Sequence, residues 1–273
     1  MLKDITLGQF FPGNSSVHRM DPRTKLIMLI IYIVGLFLAD GWVPYAFVFS
    51  FLVTAVIISS IPFKSLVRGM KPLVVILIFT GVLNLFLTDG ENVLVDVWVI
   101  RITWEGVERA FVMMSRILML LAGTFLLTYT TSPIALTDGL ESLLSPLKKI
   151  RMPVHELAMI MCIALRFIPT LIEETDKIMS AQKARGADFE SGNLLQRVKA
   201  LVPILIPLFI GSFRRAEELA TAMECRCYHG GDGRTKMKLL RYKRIDVIAF
   251  AVGALLVAGV ILLNQLPMRG FYA

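Results

Sequence analysis

Residues 42–61, WVPYAFVFSFLVTAVIISSI, run for twenty positions without a charged side chain. As a helix rising 1.5 Å per residue, that stretch covers about 30 Å, the hydrocarbon thickness of a bilayer. Working outward, four further stretches read as membrane helices: 26–39, 72–88, 110–131 and 247–266. The first holds only fourteen uncharged residues, so it spans if Lys25 and Arg23 snorkel at its start, with Asp40-Gly41 as a tight hairpin to the next. Composition agrees, with 56% hydrophobic residues, 18% charged and a mean hydropathy of +0.69. A soluble chain carries about a quarter charged residues. A wholly aqueous domain, a disordered chain and a fibrous repeat are thereby excluded. Cys162, Cys225 and Cys227 are too few and too unevenly placed for a disulfide framework. Residues 1–25 are polar and end in charge, so no cleavable signal peptide is expected.

The basic residues orient these spans. Lys and Arg number four in residues 1–25, three in 62–71 and eighteen in 132–245, against two in 89–109 and one after residue 266. Twenty-five on one side against three on the other predicts a cytoplasmic N-terminus and an external C-terminus, even with the longest loop weighted less. The net charge of +8 follows from this asymmetry and suits anionic lipid, so nucleic acid is not expected as a partner. Two more apolar runs, 157–172 and 201–213, compete for membrane status, but contain Arg166 and Pro169, and Pro203 and Pro207. If both crossed, Lys177, Lys183, Arg185, Arg197 and Lys199 would lie outside. They are therefore read as cytoplasmic-side helices that pack under the membrane domain or dip into it. The expected fold is an all-α polytopic membrane protein with about five transmembrane helices and a cytoplasmic domain of three long amphipathic helices. Its divisions fall at 1–131 (four spans), 132–245 (the insert) and 246–273 (the last span and an external tail).

The insert opens with Ser132-Pro133, an N-cap followed by proline at the first helical position. Leu136, Leu140, Leu143, Leu144 and Leu147 then recur at helical spacing, and Pro146 and Pro153 punctuate the end. A second helix is predicted over 154–184, with Phe167, Ile168, Leu171, Ile172, Ile178 and Met179 opposite Glu173, Glu174, Asp176, Lys177 and Lys183. The third covers 194–227, with bends expected near Pro203 and Pro207. There Leu208, Phe209, Phe213, Ala216, Leu219, Ala220 and Met223 share one face, with Arg214, Arg215, Glu217, Glu218 and Glu224 on the other. The two long helices form a degenerate repeat offset by 41 residues, aligning Asp176 with Glu217, Ile178 with Leu219, Ala181 with Ala222 and Arg185 with Arg226. Each ends in an arginine between small residues: Ala184-Arg185-Gly186 and Cys225-Arg226-Cys227.

An arginine at a helix C-terminus has two readings. It complements the negative end of the dipole and bonds the last carbonyls. Alternatively it is a plug, a guanidinium entering a partner's groove to make a bidentate contact with a carboxylate. Two plugs on rigid helices suit two similar partners, or one symmetric dimer.

The chain resembles the transmembrane T component of energy-coupling factor transporters, the membrane half that couples ABC-type ATPases to vitamin or metal-ion uptake. Residues His18-Arg19-Met20-Asp21-Pro22-Arg23-Thr24-Lys25-Leu26 resemble that family's lead-in to its first span. Gln182-Lys183-Ala184-Arg185-Gly186-Ala187 matches its first Ala-Arg-Gly motif, and Ala222-Met223-Glu224-Cys225-Arg226-Cys227-Tyr228 resembles its second. Gly230-Gly231-Asp232-Gly233-Arg234-Thr235 resembles the turn that follows, in the shared form serving several substrate-binding S components rather than the dedicated cobalt or nickel form. The second motif departs at both flanks, where Cys225 and Cys227 replace alanine and glycine. The resemblance implies that Arg185 and Arg226 sit in grooves of two ATPase subunits, on helices that cross in an X. It also implies an S component on their apolar surface, to which Leu157, Ile160, Phe167, Leu205 and Phe209 are assigned. The family works mechanically: closure of the ATPase dimer moves the arginines, and the crossed helices push on the S component. ATP belongs to the partners, and this chain is expected to need no cofactor of its own and to carry no catalytic residues.

Other candidates carry less. Cys225, Cys227 and His229 lack the usual zinc spacing and a second ligand pair, so no metal site is expected. The Gly230–Gly233 run lacks the order of a phosphate loop and follows no strand. Arg116, inside the fourth span, is either functional or snorkels outward. Asn84 reads as a bond to a neighbouring helix. A cytoplasm-facing membrane enzyme is the alternative function, but the insert holds no paired carboxylates, metal cluster or nucleophile–base set. A secondary transporter lacks mid-membrane ionisable residues here.

Overall fold

A computed structural model describes residues 10–88, 93–97, 100–189, 193–230 and 239–265. The described residues fall into two compact units, one within Gly8–Leu140 and Leu240–Ala273, the other within Glu141–Leu239. The chain is an all-α polytopic membrane protein. In the first unit a single turn, α1 (Ser16–Arg19), leads to α2 (Pro22–Leu38), α3 (Trp42–Ser59), α4 (Phe63–Met70), α5 (Val74–Leu87), α6 (Trp104–Thr130) and the start of α7 (Pro133–Leu144). α8 (Val154–Ala184) and α9 (Leu194–Cys225) belong to the second unit, and α10 (Arg244–Asn264) returns to the first. Between α5 and α6 two short strands, β1 (Val93–Val97) and β2 (Ile100–Thr103), pair antiparallel, with Asp96 opposite Arg101. No strand was expected there.

Local chemistry sets the boundaries. Asp21 caps α2, its carboxylate accepting the Arg23 N–H at 3.0 Å, and Pro22 supplies a pre-set φ at the first helical position. The Thr103 hydroxyl accepts the Gly106 N–H at 3.1 Å, so α6 starts six residues before the apolar run predicted it. Residues 62–71, expected as a basic loop, form α4, which continues through a 3₁₀ turn at Lys71–Leu73 into α5. Pro72 explains the tightening, because it donates no backbone hydrogen bond. α2 begins at Pro22, so Lys25 lies within the helix. It does not snorkel: it is 7% exposed, and its Nζ donates to the carbonyl oxygens of Thr130 (2.8 Å) and His18 (3.4 Å) and to Thr131 Oγ1 (3.2 Å).

In lipid, helices associate through close packing and small residues. α2 and α10 do this reciprocally. A Cβ on Gly35 would stand 2.7 Å from Leu256 Cδ2, and one on Gly253 2.8 Å from Met28 Sδ, so each helix lodges a long side chain against the other's glycine. α2 meets α6 where Tyr32 lies over Gly123 and donates its hydroxyl to the Met119 carbonyl at 3.1 Å. Leu36, Val48, Leu52, Met119 and Val260 complete the buried centre. Outside it Ile57, Val75, Phe79, Leu87 and Val247 are exposed, the apolar exterior of a bundle solvated by acyl chains. At one end Asp246, wholly buried, accepts the Lys243 N–H at 2.7 Å, capping its own helix, and the Asp21 N–H at 2.8 Å. Arg23 donates to the Leu240 carbonyl at 3.2 Å and lies 5.3 Å above the ring centre of Tyr242. The Asp21-Pro22-Arg23 motif is thus a latch between α2 and α10.

Among the described residues, five helical segments are long and apolar enough to cross a bilayer: Trp42–Ser59, Phe63–Leu87, Trp104–Thr130, Val154–Ala184 and Arg244–Asn264. α2, with 17 residues, is just shorter. α8 is among the five by length and hydropathy, although Arg166, Pro169 and the basic residues that follow predict a helix on the cytoplasmic side. Arg116 is 5% exposed, its guanidinium 5.8 Å from the ring centre of Phe37, so it turns into the bundle rather than out to the interface. Among the described residues Asn84 bonds its own helix rather than a neighbour, donating to the Thr80 carbonyl at 2.9 Å.

Candidate functional site: two arginine-tipped helices

α8 covers the 154–184 predicted for it, bounded by Pro153 and Gly186, and α9 ends two residues short of its expected limit. Both helices finish in the same hydrogen-bonded cap. At α8, Gly186 N–H donates to the Lys183 carbonyl (3.0 Å) and Ala187 N–H to the Gln182 carbonyl (3.0 Å). At α9, Cys227 N–H donates to the Glu224 carbonyl (2.8 Å) and Tyr228 N–H to the Met223 carbonyl (3.0 Å). These are two Schellman motifs. Every residue of one matches its counterpart 41 positions on, so the sequence repeat is also a geometric one. Arg185 and Arg226 are the C-cap residues, and each is followed by a left-handed residue, Gly186 (φ 85°) and Cys227 (φ 56°). Glycine takes that conformation freely and cysteine does not.

The caps fix where the guanidiniums start. Both arginines are exposed, and among the described residues neither guanidinium has a hydrogen-bond or ion-pair partner. Ala184, Gly186, Cys225 and Cys227 beside them are exposed too, leaving each arginine without a bulky neighbour in its triplet. Neither Cys225 nor Cys227 is in a disulfide, and His229 Nδ1 donates to the Cys227 carbonyl at 2.9 Å. Among the described residues, no three His, Cys, Asp or Glu side chains converge in a way that would hold a metal ion. Of the turn at 230–235 only Gly230 (φ 102°) lies within the described residues.

α8 and α9 cross antiparallel. Glu174 meets Arg215 in an ion pair and lies against Gly211, while Gln182 Nε2 reaches the Pro203 carbonyl at 3.5 Å. That carbonyl is the one Pro207, lacking an N–H, cannot serve, so α8 supplies what α9's own ladder leaves out. α9 runs through Pro203 and Pro207 as one helix. Its less exposed stripe is Ile204, Leu208, Gly211, Ser212, Arg215, Leu219 and Met223. This corrects the expected face in part: Phe209, Phe213, Ala216 and Ala220 are exposed, and Arg215, expected on the polar face, turns inward because Glu174 waits there. A pattern based on hydrophobicity alone has no signal for such a pair. The repeat offset does have one, because 174 and 215 are 41 apart.

The residues assigned to S-component contact divide. Leu157, Ile160, Leu205 and Phe209 are exposed, and Phe167 is half-buried. Phe209 belongs to a long apolar exposure on α9 that also includes Val198, Val202, Ile206, Ile210 and Phe213. An aqueous surface does not tolerate so large an apolar stretch uncovered.

A sequence model of the family described as "Cobalt transport protein" matches residues 13–237. An energy-coupling factor transporter transmembrane protein of Thermosediminibacter oceani is 54% identical over 261 residues, 96% of this chain and 98% of its own. The protein of that name from Ruminiclostridium cellulolyticum is 50% identical, covering 97% and 98%, and that from Bacillus subtilis 48%, covering 88% and 91%. The chain belongs to this family of transporter transmembrane proteins. Membership makes it a component of a multi-subunit transporter, and the tips of α8 and α9 lie in the region the family shares.

Proposed function

We propose that this chain transmits ATPase motion to a membrane-embedded S component in an ATP-driven importer of vitamins or other micronutrients. Arg185 and Arg226 seat in the grooves of two ABC-type ATPase subunits. The observation that carries the reading is the twinning of the tips: two exposed arginines on identical Schellman caps, at the ends of two helices that cross. A dipole-complementing arginine needs no twin, whereas a dimeric engine with two similar grooves needs two matching plugs. A rigid helix carries displacement at one end to the other, and a crossing turns it into a change of angle.

The S component would cover the apolar exposure on α9 together with Leu157, Ile160 and Phe167. Substrate chemistry then belongs to that partner and nucleotide chemistry to the ATPases, which leaves this chain without catalytic residues or cofactor. The excess of Lys and Arg in residues 62–71 and 132–245 supports a cytoplasmic N-terminus, tips on the cytoplasmic side and an external C-terminus. On this reading α8 stays on the cytoplasmic side despite its length.

The test is Arg185→Glu combined with Arg226→Glu in the assembled transporter. Each charge-assisted contact is worth about 1.5–3 kcal/mol, so reversing both charges removes ATPase co-purification and substrate uptake together. Retention of both ATPases and of uptake in the double variant would refute the plug.

A further inference from the structure

The ion pair between Glu174 and Arg215 holds a special position in the repeat. If α8 maps onto α9 by adding 41 to each residue number, a local two-fold axis relates the helices, and every contact has an image elsewhere. Gln182 with Pro203, for example, would map onto Cys162 with Met223. A contact between residues 41 apart is its own image and therefore lies on the axis. Glu174 and Arg215 are 41 apart.

Three features of the pair suit a point about which the helices turn. Arg215 lies eleven residues from Arg226 and Glu174 eleven from Arg185, so each tip stands about 16 Å from the axis, in opposite directions. The contact is single-pronged: Arg215 Nη2 donates to Glu174 Oε2, while buried Arg215 Nη1 has no hydrogen-bond partner among the described residues. A two-pronged fork would fix the angle between the helices, and one prong leaves it free. Gly211 adds the clearance, because a Cβ there would stand 3.1 Å from Glu174 Oε1.

The geometry points to the Glu174–Arg215 contact as the fulcrum of the coupling unit. It stays closed while the two tips swing through equal arcs. A change of 10° in the crossing angle, shared equally by the two helices, moves each tip by about 1.4 Å and the fulcrum not at all. Both are positioning residues, touching neither nucleotide nor substrate. The inference rests on the coupling function proposed above.

The experiment uses the complete transporter, reconstituted in liposomes with its ATPases and S component, and a chain whose three cysteines are replaced. Glu174→Cys with Arg215→Cys, bridged by a short reducible bis-thiosulfonate, locks the fulcrum. Gln182→Cys with Pro203→Cys, bridged alike, locks a point two turns off it. The central bridge is expected to leave uptake within about twofold of the unbridged variant, and the off-centre bridge to lower it more than tenfold, reversibly on reduction. Separately, Glu174→Arg is expected to lower uptake at least tenfold with ATPases still bound and hydrolysing. Adding Arg215→Glu restores uptake, because the reversed pair closes again. A central bridge that stops uptake as the off-centre one does overturns the fulcrum, as does a Glu174→Arg variant with full uptake. Failure of the coupling function itself shows elsewhere, in ATPases that remain bound after both tip arginines are reversed.

Discussion

Cys227 ends α9 in a conformation that favours glycine, with φ at 56°, while its counterpart Gly186 takes φ 85°. A side chain in the left-handed region costs about 1–2 kcal/mol, and glycine's extra freedom in the unfolded chain returns part of this. Cys227→Gly should therefore tighten the second cap by about 0.5–1 kcal/mol, and Gly186→Ala should loosen the first by a similar amount. Hydrogen exchange at the Cys227 and Tyr228 amides measures one, and at Gly186 and Ala187 the other. Equal protection in wild type and variant would remove backbone strain from the account. Lys25 gives a second test at this scale. Its ammonium satisfies the Thr130 and His18 carbonyls, and Lys25→Met takes that donor away from both, the Thr130 carbonyl in a buried contact. A loss of about 1–3 kcal/mol follows, read as a lower Tm in detergent. An unchanged Tm would mean that the snorkelling expected from the sequence describes Lys25 after all. The sequence showed a lysine at the edge of a short apolar run. It did not show that the helix starts three residues earlier and brings the acceptors within reach.

Among the elements, α9 is the one whose course depends most on a neighbour. Pro207 removes the N–H that would bond the Pro203 carbonyl, and the Gln182 side chain of α8 fills the gap at 3.5 Å. Pro207→Ala restores the ladder inside α9, worth as much as about 3 kcal/mol where the helix is exposed, and makes the Gln182 contact dispensable. Amides at 204–211 should then exchange more slowly, and Gln182→Ala, which loosens them in the native chain, should have no effect in the Pro207→Ala background. Independent, additive effects of the two substitutions would show that the contact does not hold α9. The extent of α8 was legible from Pro153 and Gly186, and the twin caps from the offset of 41. The inward face of α9 was not, because Arg215 reads as solvated until Glu174 is placed opposite. Residues 62–71 were hidden as a helix by their three basic side chains, which also lie comfortably on the polar side of an amphipathic turn.

For the whole molecule, the antiparallel crossing places a demand on how α8 and α9 meet the bilayer. Their tips point in opposite directions from Glu174 and Arg215, about 16 Å each way, so a pair standing along the membrane normal would separate them by about the thickness of the hydrocarbon. Arg185 and Arg226 would then lie on opposite faces, and one engine could not hold both. The proposed coupling function requires the pair to lie along the membrane plane with both tips in the cytoplasm, as the basic residues of 132–245 also favour. Thiol labelling decides this. Lys183→Cys, exposed beside the first tip in an otherwise cysteine-free chain, reports one end, and native Cys225, kept alone, reports the other. A membrane-impermeant maleimide should modify both in inside-out vesicles and neither in right-side-out ones. On the proposed function bound ATPases should shield both thiols, since each adjoins one of the two arginines assigned to their grooves. If only the Lys183→Cys thiol is labelled from the external face, α8 crosses the bilayer, as its length and hydropathy allow, and the charge asymmetry misleads at its longest loop.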